Sequence, residues 1–121
     1  MNPNNYASVK ASKRLVEAGI VLETEAGWYK IYRPGCHSFD MVLSLRSGNE
    51  KFYGDNFPAP SMTEVWRELP EEIMEDDSLF CVKSGGKTLC YYHGKMQFSC
   101  FNPTDALIDL LIWVKKEASH E

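Results

Sequence analysis

Cys36 and His37 are the residues of this chain whose types and spacing most directly suggest catalysis. They are adjacent, and Asp40 follows three residues after the histidine. A thiol nucleophile needs a nearby base, which a third group can orient. However, adjacent residues of an extended segment point to opposite sides, and Pro34-Gly35 is typical of a loop. The sequence therefore favours an ordinary loop, and a cysteine-dependent enzyme using Cys36 and His37 is the weaker of two alternative functions.

A second cysteine pair is predicted to lie across a hairpin. If Gly85-Gly86 forms a two-residue turn, the resulting register places Cys81 opposite Cys90, on the face away from the core, with Cys100 pointing inward. A zinc site needs four donors, and His93, three residues after Cys90, would point to the other face of the strand. We therefore expect no metal site. We also expect no catalytic site and no bound cofactor. The four cysteines are expected to stay reduced in the cell.

Aromatic and basic residues are interleaved around the first predicted hairpin. Rings that stack on bases, together with Lys and Arg that contact phosphates, are typical of proteins that bind single-stranded nucleic acid. The candidate contacts are Trp28, Lys30, Tyr32, Arg33 and Arg46. A net charge of -4 opposes a broad phosphate-binding face, and antiparallel strands use aromatic cross-strand pairs in any case. A nucleic-acid-associated accessory factor is therefore the first alternative function.

Caps and apolar spacing predict three helices that would position these residues. Ser8 caps the first helix and Gly19 ends it, while Ser61 and Glu64 form a capping box at the start of the second. Pro103 suits the first position of the third helix, where its missing N–H is not needed. The predicted ranges are 8–18, 62–69 and 103–117.

Alternating apolar residues and turn residues predict strands over 28–33, 39–46, 51–53, 79–83, 88–93 and 96–101. In the last three strands the face predicted to be the core contains Phe80, Val82, Leu89, Tyr91, Phe98 and Cys100. The fold class is α+β, with an antiparallel sheet of five to six strands and about three helices packed mainly on one face. Residues 1–121 form a single domain in this interpretation, and residues 1–6 form a mobile leader.

The last predicted helix has apolar residues on two sides. The core stripe comprises Ala106, Leu107, Leu110, Leu111 and Val114. At about 100° per residue, Ile108 and Ile112 fall on the opposite side, with Trp113 at the border. These three residues therefore form a possible interface with another chain, such as a second copy in a homodimer. Burial of the isoleucines beneath another segment is the competing outcome.

The chain has no apolar stretch near the length of about 18 residues that a membrane helix needs. Its beginning also lacks the basic and apolar regions of a signal peptide. We therefore expect a cytoplasmic protein with no membrane contact.

Four segments in this order resemble small hypothetical proteins of bacterial phages, prophages and integrated mobile elements. The segments are 11–20, 28–29, 58–70 and 102–113. The resemblance implies an origin in such elements and supplies no catalytic residue. The leading expectation is a non-enzymatic accessory or protein-interaction domain whose partner is another protein chain, with nucleic acid a less favoured partner.

Overall fold

Helices and strands of an α+β fold are seen in the computed structural model, which describes residues 2, 5–35, 38–46, 52, 54–70, 79–92, 95 and 97–118. The helices formed by these residues are α1 (Val9–Glu17), α2 (Met62–Glu68) and α3 (Pro103–Ala118). The strands are β1 (Ala26–Tyr32), β2 (Phe39–Leu45), β3 (Phe57–Pro58), β4 (Leu79–Ser84), β5 (Lys87–Tyr92) and β6 (Phe98–Cys100). The mixed class predicted from the sequence is confirmed.

The described strands form two antiparallel sheets, so the prediction of one sheet with five to six strands is wrong. One sheet has the order β2-β1-β3 and the other the order β4-β5-β6. The sheets are connected through helices, since α1 contacts both β3 and α3, and α2 contacts α3. Each strand group thus pairs only within itself.

The third strand lies later in the chain than the sequence predicts. Phe57 and Pro58 form β3 and pair with Trp28 and Gly27 of β1. Proline lacks the N–H of a central strand but is accepted at a sheet edge, which is where β3 lies. Phe52, in the predicted strand 51–53, is not in a strand, and the other two residues of that segment lie outside the described residues.

Local capping explains where α1 and α2 begin. The Ser8 hydroxyl accepts a hydrogen bond from the Ala11 amide, and Gly19 adopts a positive φ of 74° just after α1. Ser61 and Glu64 form the predicted capping box at α2. The expected caps are therefore confirmed, because they depend on residues within one helical turn.

The central position of α3 corrects one prediction. The predicted core stripe is buried, but Ile108, which the sequence places on the surface, is also buried with 0% exposure. The reason is that α3 contacts α1, α2, β5 and β6, so its second apolar side is covered as well. Ile112 and Trp113 are half-buried and pack against the same core. Ile108 therefore has no free surface for an interface.

The core face of the second sheet is largely the opposite of the predicted one. Thr88, Cys90 and Tyr92 are buried on the side that packs with α3, whereas Phe80 and Val82 are exposed. The Tyr92 hydroxyl donates to the Pro70 carbonyl at 2.6 Å, and burial raises the pKa of Tyr92 to about 12. Because β5 carries apolar residues on both faces, the alternation of residues along the strand does not show which face is buried.

The register of the second sheet is confirmed in one half only. The β4–β5 register matches the predicted Gly85-Gly86 turn, and both glycines have positive φ. The β5–β6 register is displaced by one residue from that of a Gly94-Lys95 turn, so Phe98 lies opposite Cys90. This displacement brings Phe98 and Cys100 to the face that packs on the core, as predicted for these two residues.

Tyr6, assigned to the leader by the sequence, is instead part of the packed structure. Its side chain is 9% exposed, and its hydroxyl donates to Glu25 at 2.8 Å. Its carbonyl accepts a hydrogen bond from Asn102 at 3.0 Å, and the next amide, of Ala7, donates to Pro60.

None of the helices formed by the described residues has the length and apolar character needed to span a bilayer.

Candidate functional site

An exposed apolar surface covers the side of the second sheet that faces away from α3. We call this surface the outer face, and it comprises Phe80, Val82, Lys87, Leu89, Tyr91, Ser99 and Phe101. Strand pairing places Phe80 beside Tyr91 and Val82 beside Leu89, and the two aromatic rings stack with centroids 5.5 Å apart. The outer face is therefore continuous across neighbouring strands.

Phe101 and Lys87 form one end of the outer face. Phe101 is 73% exposed, and the Lys87 ammonium lies 5.1 Å from the centre of its ring. Ammonium groups are attracted to the negative face of an aromatic ring. Among the residues that define the outer face, Lys87 alone carries a charge. The surface is thus apolar with one cation at its edge.

The residues predicted to contact nucleic acid are only partly brought together. Trp28, Lys30 and Tyr32 share one face of β1, since alternate residues of a strand point the same way. The Trp28 indole donates to the Ala7 carbonyl at 2.9 Å. The Lys30 ammonium donates to Asp55 at 2.9 Å and lies over aromatic rings. Both polar groups therefore already have partners within the protein.

The two arginines of this set lie at opposite ends of the hairpin. Arg33 makes two hydrogen bonds to Asp40, at 2.9 and 2.8 Å, and these hold the pKa of the Asp40 carboxyl below its usual value. Arg46 donates to the Thr24 carbonyl at 3.2 Å and lies 4.8 Å from the Phe52 ring. The seven residues of β1 separate these two ends, which lie about 26 Å apart. No continuous cationic track connects the five predicted residues.

A groove of about 350 Å³ lies between α1 and the first sheet. Lys13 and Lys30 line it together with the carboxylates of Glu17 and Asp55. Its walls also include the rings of Phe39 and Phe57. Equal numbers of cationic and anionic side chains give this groove no preference for a polyanion.

A polar pocket of about 560 Å³ lies beside the start of α2. Glu25 accepts the Tyr6 hydroxyl, and this hydrogen bond raises the pKa of Tyr6. Glu64 accepts the backbone amides of Ser61 and Glu25 at 2.8 and 2.9 Å. The Glu64 carboxylate joins the start of α2 to the residue before β1, and the Glu25 carboxylate holds Tyr6, so both have a structural use.

The structure tests the predicted cysteine positions in part. Cys81 is directly opposite Cys90, as predicted, but Cys90 is buried toward α3 and does not face away from the core. Burial also raises the pKa of the Cys100 thiol, to about 11. Cys36 and His37 lie outside the described residues. Within the described ranges, no three Cys, His, Asp or Glu side chains come together in an arrangement that would hold a metal ion.

The outer face is the feature that sequence reasoning assigned wrongly. Its signal was nevertheless present, because 79–82 and 89–92 are runs of four apolar or aromatic residues and not alternating segments. Such runs are typical of strands that are apolar on both faces. One helix, α3, contacts the β5 and β6 strands of this sheet, and the outer face stays exposed.

Comparisons of this chain with protein-family models, with curated proteins and with solved structures find no match. Function is therefore inferred from the geometry of the described residues. The resemblance to small phage and mobile-element proteins stays a prediction.

Proposed function

We propose that this protein is a non-enzymatic protein-interaction domain that binds its partner through the outer face. The observation that carries the proposal is the exposure of large apolar side chains on one sheet face, with Phe80 at 42%, Val82 at 44% and Phe101 at 73%. An accessory role in a phage, prophage or mobile element and a cytoplasmic location belong to the same proposal.

The size of the exposed surface supports a binding role. Because an aromatic side chain carries about 150–250 Å², the exposed parts of Phe80, Val82 and Phe101 present roughly 300 Å² of apolar surface. Contiguous apolar patches of about 300–600 Å² are the largest found on a typical monomer and are often functional. Covering this surface with apolar partner groups would remove it from water and stabilise the complex.

Charge indicates a partner different from the chain itself. A second copy would bring another Lys87 and no carboxylate, so each ammonium would lose water without gaining an opposite charge. The partner we propose is another protein with an apolar contact surface and one Asp or Glu placed against Lys87.

Photo-crosslinking identifies this partner. A photoreactive phenylalanine replaces Phe101 in the full chain, and a matched protein carries it at Val21, which is 91% exposed and outside the outer face. Both are irradiated in extract of the native host, and a partner of the outer face is crosslinked from position 101 but not from position 21. Equal crosslinking from both positions contradicts the proposal.

Binding of the purified partner then tests the surface directly. Val82→Glu should weaken binding at least about tenfold, because it places an unpaired charge in an apolar contact. The matched control is Ile31→Glu, which changes an equally exposed strand residue of the first sheet and should bind like the wild type. Lys87→Glu should weaken binding, and reversal of the partner's acidic residue should restore it. Unchanged binding by Val82→Glu, or a dimer that this substitution dissociates, overturns the proposal.

A further inference from the structure

The β4–β5 hairpin holds two thiols within reach of each other. Cys81 and Cys90 are directly paired across the strands, and their sulfur atoms are 3.5 Å apart. Neither is in a disulfide. We propose that this pair is an oxidation site, at which a peroxide converts Cys81 and Cys90 into an intrachain disulfide. This inference goes beyond the proposed function and does not require it.

The hairpin geometry suits a disulfide without displacement of the backbone. In a hairpin closed by Ser84 and Lys87, hydrogen-bonded and non-hydrogen-bonded pairs alternate away from the turn. The closing pair Ser84–Lys87 is hydrogen-bonded, and Cys81–Cys90 is the third pair beyond it. Cys81 and Cys90 are therefore a non-hydrogen-bonded pair, whose Cα atoms lie about 4.5 Å apart. This separation is within the range of about 4.4–6.8 Å that disulfides span.

The two thiols differ in access to solvent. Cys81 is exposed on β4, which pairs with β5 alone among the described strands. Cys90 is buried, and burial holds its pKa well above the usual value, so its thiol stays protonated. A small oxidant therefore reaches Cys81 first, and Cys90 is the thiol that resolves the oxidised product.

The reaction balances with one peroxide for each disulfide. The Cys81 thiolate attacks one oxygen of hydrogen peroxide, the O–O bond breaks, and water leaves after taking up a proton. The sulfur is then a sulfenic acid. The Cys90 sulfur attacks it, the S–O bond breaks as the S–S bond forms, and the thiol proton leaves with the hydroxyl as a second water. Both sulfurs are oxidised and the peroxide is reduced to two waters.

The hairpin sequence provides a direct readout. Lys83 and Lys87 lie between the two cysteines, so trypsin places them in separate peptides. The full chain is reduced, treated with one equivalent of hydrogen peroxide, and its remaining thiols are blocked before digestion. We expect two of its four thiols to be lost and the two peptides to be joined, with dithiothreitol separating them again.

Single substitutions assign the reaction. Cys81→Ser changes an exposed residue, so it should fold normally, lose no thiols to this treatment beyond slow background oxidation and give no joined peptides. Cys100→Ser is the matched control and should behave like the wild type. The inference is overturned if Cys81 stops at a sulfinic acid, if it joins two chains, or if Cys81→Ser loses thiols as fast as the wild type. Circular dichroism checks that each variant is folded.

Discussion

Glu64 shows how one side chain can connect a local motif to the rest of the fold. One oxygen of its carboxylate accepts the Ser61 amide within the capping box, and the other accepts the Glu25 amide. The first contact is set by spacing along the chain, and the second joins the start of β1 to α2. Loss of this side chain therefore leaves two backbone donors without their acceptor.

Substitution of the capping residues separates these two contributions. Ser61→Ala should lower the free energy of unfolding by about 0.5–2 kcal/mol, the usual value of a lost N-cap. Glu64→Ala should cost at least as much, because it removes a contact between elements as well as half of the capping box. Glu68→Ala, an exposed change in the same helix, should stay within about 0.5 kcal/mol. Urea denaturation measures all three, and a Glu64→Ala protein as stable as the Glu68→Ala control would contradict the expectation.

Residues whose role is local were predictable, and residues whose role depends on distant contacts were not. Ser8, Gly19 and Ser61 follow from neighbours within one helical turn, so the sequence specifies them. The contact from Glu64 to Glu25 joins positions 39 residues apart. For the same reason the pairing of Lys30 with Asp55, 25 positions away, which removes Lys30 from a phosphate-binding surface, could not be read from the sequence.

At the scale of elements, ion pairs make the first hairpin sensitive to acid. Hydrogen bonds from Arg33 and Lys30 lower the pKa values of Asp40 and Asp55 below the ordinary 3.8. A lowered folded-state pKa stabilises the fold above pH 3.8, and this stabilisation is lost as the pH falls through the lowered values. The urea midpoint should therefore fall in that acid range.

Asp40→Asn and added salt provide the controls for this pH dependence. The Asp40→Asn protein should lose less stability over the same pH range, because one of the two titrating carboxyls is absent. Because both pairs are exposed, 1 M salt, at which the screening length is about 3 Å, should reduce the effect. An identical pH profile for the wild type and Asp40→Asn would show that Arg33 and Asp40 contribute nothing measurable.

The burial of Ile108 gives a second prediction for an element. Replacing this fully buried residue by Ala should lower the free energy of unfolding by about 2–5 kcal/mol. Ile112→Ala, at a half-buried position one turn later, should cost about half as much or less. Urea denaturation compares the two, and equal small losses would mean that Ile108 is not in the core. Contact with another chain through Ile112 and Trp113 stays a prediction.

Helices were easier to predict than sheets in this chain for a physical reason. A cap and a 3.6-residue stripe fix a helix locally, whereas the buried face of a strand depends on which element packs against it. For β5 both faces are apolar, and α3 covers the face with Thr88, Cys90 and Tyr92. The apolar second side of α3 likewise gave no sign that α1 and α2 would cover it. The outer face was therefore mistaken for the core.

At the scale of the whole molecule, the described residues form two apolar clusters of unequal extent. The larger one combines buried residues of α1, α2, β5 and α3. The smaller one comprises Tyr6, Ala26 and Ala59, with Trp28 and Leu43 packed against it. β2 is half-buried at Met41 and Leu43 and exposed elsewhere, whereas alternate residues of β5 are buried. The two sheets thus rest on very different amounts of buried apolar contact.

The smaller amount of buried apolar contact predicts that the first sheet opens at a lower free energy than the second. Regions with few buried apolar contacts open at lower free energy, so amide hydrogens of β2 should exchange at least about tenfold faster than those of β5 and α3. Hydrogen exchange followed by mass spectrometry measures this difference on the full chain. As a control, Leu111→Ala should speed exchange in α3 and β5, because it weakens the larger cluster. Exchange in β2 should change little, since local opening already governs it. Equal protection of β2 and α3 would contradict the prediction and would mean that both sheets unfold as one cooperative unit.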